Sequence, residues 1–168
     1  DGSQLNGPYT GMMSSGLKNY QFIIDKSKEQ GDWNFYLMAT VMKAYTTEVL
    51  VDLYDKIPYF DALKGAENLN PKFDDGYTIY KDLLAGIDTA LAKDFSASTN
   101  TPTSLIGASD LIFAGSITKR KQFANTPKLK MFLRMVNAKP AEAQAGIQAL
   151  YTANAQFLTS EAGMFGFT

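Results

Sequence analysis

At 168 residues the chain is long enough for one domain with a real core, burying about 70% of the surface its unfolded form exposes. Sixteen Lys and Arg against 17 Asp and Glu leave a net charge of −1, so no general excess of positive charge is available to neutralise nucleic-acid phosphates. The absence of cysteine and histidine excludes disulfides, thiol nucleophiles, cysteine zinc sites, Ser-His-Asp triads and histidine bases, leaving any catalysis to carboxylates, Lys, Tyr or Ser.

Residues 1–15 are rich in Gly, Ser, Asn and Pro and read as an extended, loop-like start. The segment 1–8 has no apolar signal core and no lipidation cysteine, which fits either a cytosolic chain or one whose targeting segment has been removed. Leu17, Tyr20, Ile23, Ile24 and Ser27 recur at helical spacing and predict a first helix over 16–30, punctuated by Gly31. Asp32 or Asn34 is placed to cap the next helix, with Trp33 stapling its start.

That second helix carries Leu37, Met38, Val41, Met42, Tyr45, Val49, Leu50 and Leu53 as a broad apolar face. Pro58 stops it by disfavouring the helical region at Ile57. A polar connection through Asn68, Asn70, Pro71, Asp74, Asp75 and Gly76 follows. Asp75 or Thr78 then opens a third helix on Ile79, Tyr80, Leu83, Leu84, Ile87 and Leu91. Residues 96–104 are polar and predict an exposed loop. Residues 111–115 predict a helical turn capped by Asp110 and ended by Gly115.

A further helix is expected from about Pro127, since proline is tolerated at a first helical position. Its apolar stripe is Leu129, Phe132, Leu133 and Val136, with Lys128, Lys130 and Arg134 outside it. Lys119-Arg120-Lys121 reads as a solvated face. Pro140 opens the last helix, on Ala143, Ile147, Leu150, Tyr151 and Phe157, and the apolar stretch 163–167 ends the sequence. The pattern contains no strand signal. It predicts an all-α fold of tetratricopeptide-like antiparallel helix pairs with long loops, forming a single helical domain over 1–168.

Candidate chemistry is sparse. No phosphate-binding glycine loop and no acidic calcium loop occur, and no metal site or cofactor is expected. Two carboxylate pairs, Asp52 with Asp55 and Asp74 with Asp75, are weighed against the acid–base pair of a glycosidase. Helix capping and turn hydrogen bonds account for both more simply. The aromatics assigned to loops, Tyr9, Tyr59, Phe60 and Tyr77, are the candidate ligand contacts, because an exposed ring face stacks on sugar. Anchoring of a loop is the competing use of each ring.

Three ordered blocks give the chain a resemblance. The first is Leu50-Val51-Asp52-Leu53-Tyr54-Asp55-Lys56-Ile57-Pro58-Tyr59, a helix end running into a proline turn. The second is Pro71, Asp74, Ile79, Tyr80, Asp82, Leu83, Leu84, Ile87 and Ala90. The third is Asp110, Ile112, Phe113, Gly115, Lys119, Phe123, Ala124, Asn125, Lys128, Leu129 and Arg134. In this order, between about Tyr36 and Arg134, they resemble the N-terminal helical part of the SusD/RagB family of surface nutrient-binding lipoproteins. The sequence departs from the family pattern at Asp55, where glycine is usual, at Arg120 in place of tryptophan, at Pro127 in place of leucine, and at Ser116 in place of an acid.

The resemblance implies a non-enzymatic role: binding of oligosaccharide or another nutrient beside a TonB-dependent outer-membrane transporter. It also implies a lipid anchor absent from this chain, a place on the outer-membrane surface of a Bacteroidetes-type bacterium, and no nucleic-acid partner. Full-length members are longer, so the chain is expected to be the N-terminal fragment of such a protein. Asp55, Pro58, Asn125, Leu129 and Arg134 are matched as structural residues, and no ligand residue is carried over. The alternatives are an intracellular helical-repeat adaptor gripping a peptide and, less favoured, a carboxylate-dependent glycan hydrolase.

Overall fold

The computed structural model describes residues 16–64, 72–99, 113 and 115–159. Among them the chain order is α1 (Lys18–Gln30), α2 (Trp33–Tyr54), β1 (Lys56–Ile57), α3 (Tyr59–Lys64), β2 (Asp74–Asp75), α4 (Gly76–Leu91), a 3-10 turn (Phe95–Ala97), α5 (Ile117–Met135) and α6 (Pro140–Thr152). The architecture is all-α, built from antiparallel helix pairs with long loops. One feature without a sequence signal is a two-residue antiparallel ladder, Lys56 opposite Asp75 and Ile57 opposite Asp74.

The turn between α1 and α2 forms as its residues dictate. Gly31 adopts φ 70°, the left-handed conformation that glycine tolerates, while Asp32 accepts the Phe35 N–H and caps α2. The polar stretch after α4 is not free. Ser98 Oγ accepts the Trp33 N–H, and Thr99 donates its N–H to Gly31 and its hydroxyl to Gln30. As far as Thr99, the expected exposed loop is therefore pinned to the α1–α2 turn. The remainder of that loop, the 111–115 turn apart from Phe113 and Gly115, and the stretch 163–167 lie outside the described residues.

α2 is the central helix, packed by α1, α4 and α5. Leu37, Val41 and Leu50 are buried as expected, each stabilising the fold by about 1.5–3 kcal/mol. Tyr45 and Leu53, assigned to the same face, are exposed, whereas Ala44, Thr47 and Glu48 are enclosed. With neighbours on three sides, a small or polar side chain of α2 is buried wherever another helix crosses it. α4 follows its pattern closely: Asp75 caps it, and Ile79, Tyr80, Leu83, Leu84, Ile87 and Ala90 face inward.

The largest correction concerns α5. It begins ten residues before Pro127, with Ser116 as its cap accepting the Lys119 N–H, and passes through Pro127. Its buried face is Arg120, Phe123, Ala124, Pro127, Met131 and Met135, so Leu133 and Val136 point outward. Arg120 is not on a solvated face; it is 5% exposed and donates to Asn34 Oδ1. α6 starts at Pro140 as expected and buries Ala143 and Leu150, but Tyr151 is 82% exposed.

Candidate functional site

A cleft of about 440 Å³ opens between α1, α2, α3 and α4. Its polar walls are Gln21 of α1, Lys43 of α2 and Asp82 and Thr89 of α4. Phe60 of α3 and Tyr36 of α2 supply aromatic surface. A two-residue turn after α1 brings Gln21 alongside α2, and Gln21 Oε1 accepts from Lys43 Nζ at 3.0 Å. Gln21 Nε2 donates in turn to Asp25 at 2.8 Å.

Lys43 is the only charged residue between Trp33 and Thr47. Burial pushes its pKa down, and the fields of Asp82 and Asp25 oppose that shift without reversing it. Its ammonium lies 5.2 Å from the centroid of the Tyr59 ring. Among the described residues no carboxylate lies within ion-pair distance of it. Tyr59 itself is fully buried and donates its hydroxyl to Asp82 Oδ2 at 2.7 Å. Burial first, and then the charge and hydrogen bond of Asp82, hold its phenol far above the ordinary value. Asp82 Oδ1 has no hydrogen-bond partner among the described residues.

The structure places three of the four aromatic candidates. Tyr59 and Phe60 are not loop residues; they begin α3, whose first turn is held by the Phe60 N–H donating to Asp74 Oδ2. Tyr59 has no exposed face and is not among the residues that line the cleft. Phe60 is half-buried, meets Tyr59 edge-on at 4.9 Å, and lines the cleft. Tyr77 is on α4, with the ammonium groups of Lys81 and Lys139 at 4.5 and 4.6 Å from its ring centroid and its hydroxyl on Glu142 at 2.5 Å. Those contacts join α4 to α6. Tyr9 lies outside the described residues.

The carboxylates weighed for acid–base chemistry are engaged elsewhere. Asp75 accepts both the N–H and the hydroxyl of Thr78, which hold its pKa below the usual range, the opposite of a general acid. Asp74 holds α3. Asp52 pairs with Arg134 Nη2 at 2.6 Å and accepts from Tyr80 at 2.9 Å. Asp55 forms the turn after α2 at φ 63°, and Pro58 is buried behind it. Asn125 donates to the Gln156 carbonyl, and Leu129 is half-buried on α5. Among the described residues no cluster of three or more acidic, His or Cys side chains could hold a metal, and no helix is long and apolar enough to cross a membrane.

Two groups escaped sequence reasoning. The cleft trio Gln21, Lys43 and Asp82 comes from three helices, and its one sequence signal is the lone lysine in an apolar helix. The second group surrounds Glu48, which is fully buried. Lys130 Nζ lies 2.9 Å from its Oε2, and Arg134 Nε lies 3.6 Å from its Oε1, an ion pair beyond hydrogen-bond reach. A larger cleft of about 580 Å³ between α4, α5 and α6 is walled mainly by alanines and leucines, and its Asp88 and Lys128 are paired with one another.

Comparison with known proteins bears on this geometry. The SusD-like_2 family model, described as "Starch-binding associating with outer membrane", matches residues 4–166. The fold is similar to the crystal structure of a SusD-like protein from Bacteroides thetaiotaomicron, with a TM-score of 0.70 and 24% sequence identity. That match covers 96% of this chain and 31% of the other, so the chain spans about a third of the length of its structural relative. No curated protein matches the chain.

Proposed function

Because the chain belongs to the SusD-like family, we propose that it serves as a non-catalytic, nutrient-holding component of an uptake system at the bacterial outer membrane. Its partner in this reading is a TonB-dependent transporter, its attachment a lipid anchor at the cell surface, and its ligand an oligosaccharide or comparable nutrient. The span of the chain, 31% of its structural relative, fits the helical scaffold part of a longer protein.

The observation that carries the reading is the mouth of the α1–α4 cleft. Phe60 offers an aromatic surface there, beside an ammonium and a carboxylate that retain hydrogen-bonding capacity. Sugar recognition needs that combination: a ring face for the C–H side of the sugar, and mixed donors and acceptors for its hydroxyls. The engagement of Asp52, Asp74 and Asp75 in ion pairs and caps supports binding without turnover.

The test is binding of the intact gene product to a glycan panel, with product analysis for cleavage. Saturable binding without hydrolysis is expected, and Phe60→Ala weakens it by about tenfold, or ~1.4 kcal/mol. Turnover of any bound glycan would sink the reading.

A further inference from the structure

α4 carries a glycine in its middle that neither backbone nor packing requires. Gly86 is absent from the positive-φ residues. A methyl group added there would meet nothing nearer than Thr40 Cγ2, at 3.7 Å, an ordinary van der Waals contact. Glycine inside a helix costs about 1 kcal/mol relative to alanine. Gly76 differs: a Cβ there would lie 2.7 Å from Val51 Cγ1, so close helix packing accounts for it. What Gly86 does border is the cleft, which it lines together with Lys43 and Asp82.

Among the described residues the cleft lining carries one charge of each sign. Among the described residues Lys43 is the one cation lining it, and its Nζ already bonds to Gln21, which in turn holds Asp25. Asp82 also lines it, with one oxygen engaged by Tyr59. A ligand carboxylate would meet the like charge of Asp82 beside an ammonium already shared with Gln21. An uncharged diol can accept from the ammonium and donate to Asp82 Oδ1 at no such cost. The volume, about 440 Å³, lies toward the small end of small-molecule pockets, which run from about 300 to 1,000 Å³.

Building on the nutrient-holding reading, we infer that the cleft lined by Gly86 receives the end of an uncharged oligosaccharide, bridging Lys43 and Asp82 through a vicinal diol, and discriminates against uronate-bearing sugars. Phe60 forms the wall on which the ring rests. Gly86 leaves the depth that lets the diol reach both charged groups.

The test is titration calorimetry of the intact gene product with neutral malto- and xylo-oligosaccharides and with oligogalacturonides. A neutral ligand is expected to bind at least tenfold more tightly than the galacturonides. Gly86→Ala is expected to melt at or above the wild-type temperature yet bind at least tenfold more weakly. Asp82→Asn should weaken binding similarly. Unchanged neutral-sugar affinity in Gly86→Ala, or tighter binding of the galacturonides, overturns this inference and leaves the uptake reading standing. Absence of binding to every glycan overturns this inference and, with it, the oligosaccharide ligand of the uptake reading. Should Gly86→Ala fail to fold, Lys43→Met removes the ammonium while keeping the length of the chain, and undiminished binding by that variant refutes the diol bridge.

Discussion

Asp55 sits at φ 63° and ψ −46°, a conformation that an L-residue with a side chain adopts only under strain. The strain has a local cause. α2 must end abruptly, with the Asp55 N–H still bonded to the Val51 carbonyl, so that Ile57 can pair with Asp74 ahead of Pro58. Gly76 completes the corner: a Cβ there would lie 3.3 Å from the Asp55 carbonyl oxygen as well as against Val51. Asp55→Gly is expected to stabilise the protein by about 1 kcal/mol, since glycine relieves a positive φ at modest entropic cost. Urea denaturation measures it, and an unchanged or lower midpoint refutes the strain. The corner was visible in the sequence through Pro58 and through the residue that replaces the family's glycine. That Gly76 packs against it was not, because the two positions are separated by a polar connection.

Between elements, the α2–α5 contact is an electrostatic seam laid over apolar packing. Glu48 has no exposed surface, while Lys130 and Arg134 retain 42% and 50% of their side-chain exposure. Arg134 also reaches Asp52, which Tyr80 of α4 holds from the other side. Neutralising Glu48 would leave two cations over a buried amide. Glu48→Gln is therefore expected to destabilise by about 2 kcal/mol, less than a fully buried pair because its partners are partly solvated. A loss below about 0.5 kcal/mol in chemical denaturation would show that solvent has replaced the pairing. Helix periodicity placed Glu48 outside the apolar face of α2, since it treats each helix as having one buried side. A helix with three neighbours buries more than one. Pro127 misled for a related reason: proline marks a helix start in isolation, yet inside α5 its ring is buried and the Thr126 hydroxyl donates to the Gln122 carbonyl in the same turn.

Across the whole molecule, burial couples stability to alkaline pH at Tyr36, Tyr59, Tyr80 and the half-buried Lys43. Tyr59 and Tyr80 have phenols raised above the ordinary 10.0, mainly by burial and then by Asp82 and Asp52 respectively. A raised folded pKa contributes stability that is complete below the unfolded value and is lost as pH climbs through the folded one. Lys43, depressed by burial from 10.5, works in the opposite sense: its cost is present while it is charged and fades as pH rises toward 10.5. The raised tyrosines outweigh the single lysine above about pH 10, so the melting temperature is expected to fall there, together with a cooperative rise in tyrosinate absorbance. Tyr59→Phe should make that fall shallower. Independent, gradual ionisation of both phenols in the folded protein would contradict their burial.

What the sequence by itself determined is the local alphabet of this protein: the αL turn at Gly31, the caps at Asp32 and Asp75, the inward stripe of α4, the proline corner after α2, and the family that those ordered blocks resemble. Each depends on residues within a few positions of one another, where backbone sterics and periodicity act directly. Only the tertiary structure decided that Tyr59, Arg120 and Glu48 are enclosed, and that Gln21, Lys43, Asp82 and Gly86 share a cleft. Those facts depend on which faces of separate helices meet. Periodicity along one helix carries no information about the side chains a neighbouring helix brings to it.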